Sequence, residues 1–316
     1  MTYRYLCWAV LAAVLAVASV AVTHSTFAAD WPEWRGPRRD GISREEGLLQ
    51  EWPEGGPPLA WATNLCGEGY GGPAVVGNRV YLMGNGRGGE WVLALNVAKG
   101  GEQEWASATG PVRHQGGGYP GPRSTPTVDG ERVYALGLAG VLVCLDAEDG
   151  KVVWHKDLVE DFGGSIPNWG YAESVLVDGK FVLCTPGGKE NTIVALNKDN
   201  GEKVWSAAIG DAAGYASIMK VKIAHVSQYV AFTAKGVVSV AADSGRLLWR
   251  YDAPANSTAN CATPIWYRDT IFAASGYNKG GGLVWPRFAP QGFMPQQIYF
   301  TKDMQERLYM KFYKAL

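Results

Sequence analysis

Several common devices are missing from this sequence. Its five cysteines, Cys7, Cys66, Cys144, Cys184 and Cys261, never form a C-x-x-C pair, which excludes zinc-ribbon and thioredoxin-like patterns. The four histidines, His24, His114, His155 and His225, are isolated, so no H-E-x-x-H metal pair exists. There is no excess of one charge: 29 Lys plus Arg stand against 30 Asp plus Glu, for a net charge of −1. Nothing in that balance favours nucleic acid or an anionic membrane. No nucleophile elbow, P-loop or Rossmann fingerprint occurs. The runs Gly116-Gly117-Gly118 and Gly280-Gly281-Gly282 lack the following helix that a phosphate cradle needs.

After residue 22 no apolar run is long enough to span a bilayer. Before it, Tyr5–Val22 follows Arg4 and leads into Thr26-Phe27-Ala28, the pattern of a secretory signal peptide. Cleavage after Ala28 puts small residues at −3 and −1; an uncleaved anchor is the alternative that the length of the run leaves open. Cys7 lies inside the run, so no lipid anchor is expected. The remaining cysteines are widely spaced, and Cys144 and Cys184 read as buried free thiols.

What the sequence has in plenty is Gly (41), Pro (17) and Trp (13), together with an internal repeat. Val92-Leu93-Ala94-Leu95-Asn96 precedes Trp105, Leu142-Val143-Cys144-Leu145-Asp146 precedes Trp154, Ile193-Val194-Ala195-Leu196-Asn197 precedes Trp205, and Val237-Val238-Ser239-Val240-Ala241 precedes Trp249. The Trp intervals are 49, 51 and 44 residues, a period of solenoids and propellers. Upstream of each lies a small or Pro-led apolar strand, a turn and a second apolar strand. The turns are tight in four of five units, and a longer Lys222–Gln228 connection is expected in the fourth. Gly100-Gly101, Asp149-Gly150, Asn200-Gly201 and Ser244-Gly245 supply later turns. Each unit reads as three strands, with a fourth placed in the variable stretch before the Pro. Such spacing leaves no room for crossover helices, so the sheets are antiparallel. The expected fold is all-β: a β-propeller of four-stranded antiparallel blades, about five of them, in an incomplete ring.

The blade-end residues Trp105, Trp154, Trp205 and Trp249 are expected to fill the gaps between blades. Asn96, Asp146 and Asn197 are expected to form Asx turns. Asp146, Asp149, Glu160, Asp161, Asp211 and Asp243 are read as solvated or turn-forming acids. Two loops carry unusual chemistry and are candidate binding loops: Arg113–Arg123, with Arg113, His114, Tyr119 and Arg123, and Ser165–Tyr171, with Asn168, Trp169 and Tyr171. For the aromatics, sealing the gaps between blades is the competing reading.

The repeat apolar-Ala-Leu-Asx-x-x-x-Gly-x-x-x-Trp, clearest at Ala195–Trp205, resembles that of the pyrroloquinoline-quinone (PQQ) type propellers, which include quinoprotein dehydrogenases and BamB-like proteins. The leader Trp31-Pro32-Glu33-Trp34-Arg35-Gly36-Pro37 is similar to that of exported BamB-like proteins of planctomycete type. The resemblance implies six to eight blades in a closed ring, whereas four repeats and a fifth from Ala262 are visible; Leu59-Ala60-Trp61 fits the N-terminal strand that completes a last blade. For the dehydrogenases the resemblance implies a calcium-held quinone, a catalytic Asp and often vicinal cysteines, and no position here matches them.

The chain thus reads as a signal peptide (1–28), a Trp/Pro-rich leader (29–58), a propeller (59–302) and a helical tail (303–316) with Met304, Leu308, Phe312 and Leu316 on one stripe. The function expected is that of an exported, non-catalytic scaffold in the periplasm or cell envelope. It would bind a protein or peptide, without cofactor and without nucleic acid, and its open sheet edge would favour self-association. The alternative is a PQQ- and calcium-dependent alcohol or sugar dehydrogenase.

Overall fold

The computed structural model describes residues 29–86, 88–112 and 119–302. The signal peptide expected at 1–28, Arg113, His114 and the tail helix expected after 302 lie outside the described residues. Among the described residues there is no helix, and twenty strands form five four-stranded antiparallel sheets in chain order, none closed into a barrel. Blade one comprises β1 (Ala74–Val76), β2 (Arg79–Gly86), β3 (Gly89–Asn96) and β4 (Glu102–Pro111). Blade two comprises β5 (Thr127–Asp129), β6 (Arg132–Leu136), β7 (Val141–Asp146) and β8 (Val152–Asp157). Blade three holds β9 (Leu176–Asp178), β10 (Phe181–Cys184), β11 (Ile193–Asn197) and β12 (Lys203–Ala207). Blade four holds β13 (Met219–Ile223), β14 (Val226–Phe232), β15 (Val237–Ala241) and β16 (Leu247–Tyr251). Blade five ends the series with β17 (Ile265–Tyr267), β18 (Thr270–Ser275), β19 (Gly280–Ala289) and β20 (Gly292–Thr301). The result is an incomplete β-propeller.

Two expectations about the blade are corrected. The fourth strand is not in the stretch before the Pro, which is an irregular loop; the Pro-led strand, its hairpin partner, the Ala-Leu-Asx strand and the Trp strand make up the four. The Lys222–Gln228 connection is also short. Apolar Ile223 extends β13 to its end, and Ala224 and His225, at φ of 49° and 65°, make a two-residue turn without glycine. Paired left-handed residues suit the right-handed twist of the flanking strands. The Asx turns form as read: Asn96, Asp146 and Asn197 accept the N–H groups of Lys99, Glu148 and Asp199 at 3.0, 2.9 and 2.8 Å.

Each blade is apolar on both faces, and four clusters fill the gaps between neighbours. Tyr134, Leu142, Cys144 and Trp154 of blade two meet Val175, Val182, Cys184, Val194 and Leu196 of blade three. Cys144 and Cys184 are unpaired and buried.

In the first three blades the blade-end Trp docks on a glycine of the following blade. A Cβ on Gly150 would stand 2.6 Å from the Trp105 ring, and one on Gly201 would stand 2.8 Å from Trp154; Gly245 lies under Trp205 in the same way. The indole N–H of Trp105 donates to Ala147 O (3.2 Å) and that of Trp154 to Lys198 O (2.9 Å), again across the gap. Trp61 repeats the contact on Gly101, at 2.6 Å from a Cβ placed there. Leu59–Trp61 therefore occupies the position of an outer strand preceding blade one, although these residues pair with no sheet.

A second link runs near the channel. Thr125 N–H donates to Ser174 Oγ (2.9 Å), Ser174 N–H to Ser217 Oγ (2.9 Å) and Ser217 N–H to Thr263 Oγ1 (3.3 Å), joining blades two to five through the residue or two before each inner strand. The leader adds a strap across the inner strands. Trp31 bridges Val75, Pro32 O accepts from Val128 N–H (2.8 Å), and buried Arg39, ion-paired with Glu33, donates to Ser174 O (2.7 Å) and Val175 O (3.1 Å).

Glycine beneath a tryptophan and glycine in an open turn should respond differently to substitution. Gly201→Ala has both a left-handed φ of 73° and the Trp154 ring to contend with, whereas Gly179, at 59°, has open space around its Cβ position. Urea unfolding should show about 1 kcal/mol lost in Gly179→Ala and about 3 kcal/mol or more in Gly201→Ala.

Candidate functional site

The strand order gives the fan two ends. One carries the tight turns; the other carries the β2–β3-type turns and the loops that pass from one blade to the next. The described binding-loop candidates, Tyr119, Arg123, Asn168, Trp169 and Tyr171, all belong to the second end.

Four loops meet there. Tyr70, before β1, packs edge-on against Tyr119 with ring centroids 5.8 Å apart. The Arg123 guanidinium lies over the Tyr70 ring at 5.9 Å and is aimed by its own loop, donating to Gly121 O (3.1 Å) and Tyr119 O (2.9 Å). Its charge also interacts with Tyr215 of the loop before β13 and with Glu90 of β3. Tyr215 in turn packs edge-on against Trp169 at 5.9 Å, and its hydroxyl accepts the Trp169 N–H at 3.4 Å. Tyr119 and Tyr70 are 57% and 58% exposed, so the aromatic and cationic surface is open to solvent at one side.

Asn168 is exposed and borders a neutral cleft of about 220 Å³, lined also by Ser165, Tyr215, Asn256 and Asn260. Asn260 is buried and fixed by its bonds to Thr233 O and Ala234 O. Tyr171 differs from the other candidates. It is buried, its hydroxyl donates to Pro186 O (2.8 Å), and its ring lies over Gly140, so it seals blade two against blade three.

Sequence reading missed Tyr70, Tyr215 and three buried acids. A Gly-Tyr pair recurs at Gly69-Tyr70, Gly118-Tyr119, Gly170-Tyr171 and Gly214-Tyr215, and this was the available signal. Asp211, read as solvated or turn-forming, is buried: it accepts the Thr233 hydroxyl (2.7 Å) and pairs with Arg250 (2.8 Å). Glu173 is buried and accepts the Thr185 hydroxyl at 3.0 Å. Glu90, on the core-facing side of β3 with Val92 and Ala94, takes the Leu138 N–H of blade two at 2.9 Å. Opposite it, the Asn85 side-chain amide has no partner among the described residues. Burial pushes the Glu90 and Glu173 carboxyls up to about 7, against the hydrogen bonds and Arg charges that pull them down.

A larger hollow of about 640 Å³ opens at the turn end between blades one and two. Its lining pairs Arg79 with Glu104 (2.5 Å) and Asp146 with Arg132 (2.9 Å), and also carries the carboxylates of Glu131 and Glu148. Among the described residues no three His, Cys, Asp or Glu side chains gather to hold a metal ion, and no cysteines are adjacent.

The family model described as outer membrane protein assembly factor BamB matches residues 88–298. The chain belongs to this PQQ-like repeat family. No curated protein matches the sequence. BamB from Moraxella catarrhalis is 17% identical at a TM-score of 0.51, covering 75% of this chain and 62% of that one. A europium-containing methanol dehydrogenase is 15% identical at 0.54, covering 76% and 53%. The quinohemoprotein alcohol dehydrogenase from Comamonas testosteroni is 17% identical at 0.57, covering 82% and 46%. At such identities the likeness speaks for the fold. The chain spans less than two thirds of each of these structures.

The raised carboxyls give the PQQ-like chain a pH dependence of known sign. Between an unfolded pKa of about 4.3 and the folded value near 7, the folded state binds the extra protons, so stability falls as pH rises through that window. Melting temperature should be higher at pH 5 than at pH 8, and Glu90→Gln, which keeps an acceptor for Leu138 N–H, should flatten the profile.

Proposed function

We propose that this PQQ-like propeller is an exported, non-catalytic scaffold of the cell envelope that binds an extended segment of a partner protein on its loop face. The observation that carries this reading is the convergence of Tyr70, Tyr119, Arg123, Trp169 and Tyr215 from four loops. Arg123 is held by two carbonyls and an aromatic face, so little side-chain freedom is lost when a partner docks. Arg and large aromatics are the residue types that anchor protein interfaces. The family's description as an outer membrane protein assembly factor and the signal-like N-terminus support the envelope setting. No helix among the described residues is long and apolar enough to cross a membrane.

The test is capture from envelope extract on immobilised protein. A saturable partner should be retained by the wild type, and its affinity should fall at least tenfold in Tyr119→Ala/Arg123→Ala with the fold intact by circular dichroism. An absence of any saturable partner, together with normal growth of a deletion strain, would sink the scaffold reading. Tight, stoichiometric uptake of PQQ with Ca²⁺, read by absorbance and dye reduction, would establish the dehydrogenase alternative instead.

A further inference from the structure

A second site lies beside the aromatic mouth. The cleft of about 220 Å³ that Asn168 borders is walled by three successive connections between blades. They are β8–β9 with Ser165 and Asn168, β12–β13 with Ala212 and Tyr215, and β16–β17 with Ser257 and Thr258; the β14–β15 turn closes the cleft at Ala234. These segments are tied to one another through their backbones. Ala234 N–H donates to Ala212 O and Tyr215 N–H to Asn260 O, both at 3.0 Å, and Asn260 Nδ2 donates to Ala234 O at 3.1 Å. Within the last loop the Asn256 side chain accepts the N–H groups of Thr258 and Ala259 at 2.7 Å. A Cβ on Gly214 would stand 2.0 Å from Phe232 O, so the wall there is backbone packed on backbone. The cleft is formed before anything enters it, and a ligand has little ordering to offset.

Its chemistry is selective. None of the lining side chains is charged, in a chain of which 19% of the residues are. Lys235, next to Ala234 in sequence, is directed to Gly210 O (3.3 Å) and Asp211 (3.8 Å). An ionic ligand would lose hydration here with no opposite charge to replace it. The groups left over are neutral donors and acceptors. The side chains of Ser165, Asn168, Ser257 and Thr258 are exposed and hydrogen-bond to no described residue, whereas those of Asn256 and Asn260 are used up in holding the loops. A purely apolar ligand would cover the four free groups without pairing them. At one border stands Tyr215, packed edge-on against Trp169 at 5.9 Å. The volume lies below the roughly 300 Å³ at which clefts begin to hold drug-sized molecules, which leaves room for one ring. A ligand that is neutral, rich in hydroxyls, one ring in size and apolar on one side is a pyranose, whose C–H face packs on aromatic rings.

We propose that this cleft is a binding site for a neutral sugar ring, held as one residue of a glycan. Ser165, Asn168, Ser257 and Thr258 meet its hydroxyl groups, and Tyr215 with Trp169 takes its C–H face. The site binds without cleaving, since glycoside hydrolysis takes a pair of carboxylic acids and no Asp or Glu lines the cleft.

The test is calorimetric titration of the full chain with chitotetraose, cellotetraose and maltotetraose, neutral glycans that differ in linkage and in the group at C2. Saturable binding to at least one is expected, insensitive to added salt and weakened at least tenfold by Ala212→Leu, which fills the cleft, and by Asn168→Ala. Ala212 and Asn168 are exposed, so both variants should keep the circular dichroism and melting temperature of the wild type. Binding to none of the three glycans rules the proposal out, as does equal binding to the wild type and Ala212→Leu. If no sugar binds but an envelope partner is lost in Ala212→Leu, the cleft belongs to the protein contact instead. No partner protein enters the titration, so its outcome and that of the envelope capture are independent.

Discussion

Three of the four junctions between blades rest on one contact, an indole set on a glycine of the next sheet. A four-stranded sheet with two apolar faces cannot be buried alone, and the Trp–Gly docking fixes how far its neighbour is turned and at what height. Gly150, Gly201 and Gly245 serve twice: they supply the left-handed turn residue, and their missing Cβ makes room for the ring. The docking varies along the fan. Tyr81, Tyr134 and Phe181 flank the first three indoles, whereas Trp249 donates to the Gln228 side chain, and blade five replaces the short glycine turn with the long β19–β20 hairpin. The apolar stacking is kept while the polar fittings drift.

The architecture was largely legible because its signal repeats. Ala-Leu-Asx, the turn glycine and the Trp each mark a fixed place in a blade, so Asn96, Asp146 and Asn197 could be assigned as turn formers from spacing alone. The errors fell where a local rule had no repeat behind it. Ala224 and His225 adopt a conformation that side chains resist, and without glycine nothing announced a tight hairpin. Counting a strand in the loop before the Pro gave regular structure to a stretch whose backbone bonds go to other loops, as Tyr70 N–H does to Pro122 O and Tyr215 N–H to Asn260 O.

The candidate site was legible only in part for a physical reason. Arg123, Tyr119 and Trp169 announced themselves as unusual loop residues, but their partners come from other blades, and spacing along the chain does not encode which loops share a mouth. Tyr171 and Tyr215 follow the same Gly-Tyr pattern, yet one is sealed between blades and the other faces Trp169. Buried acids were hidden for a similar reason. Glu90 occupies a core-facing place in a strand, and the Leu138 amide and the Arg123 charge, both from other parts of the chain, make that place tolerable for a carboxyl.

The leader strap has a consequence for the order of folding. Each blade is a run of hairpins whose contacts are close in sequence, so a blade can form as soon as it emerges. The strap is made before the blades but is completed late, because Arg39 finds its carbonyl at Ser174 135 residues further on. Its guanidinium and the Pro32 carbonyl must remain solvated until blades two and three exist. A segment synthesised before any blade is therefore among the last to settle, and its contacts are complete only once the first three blades have stacked.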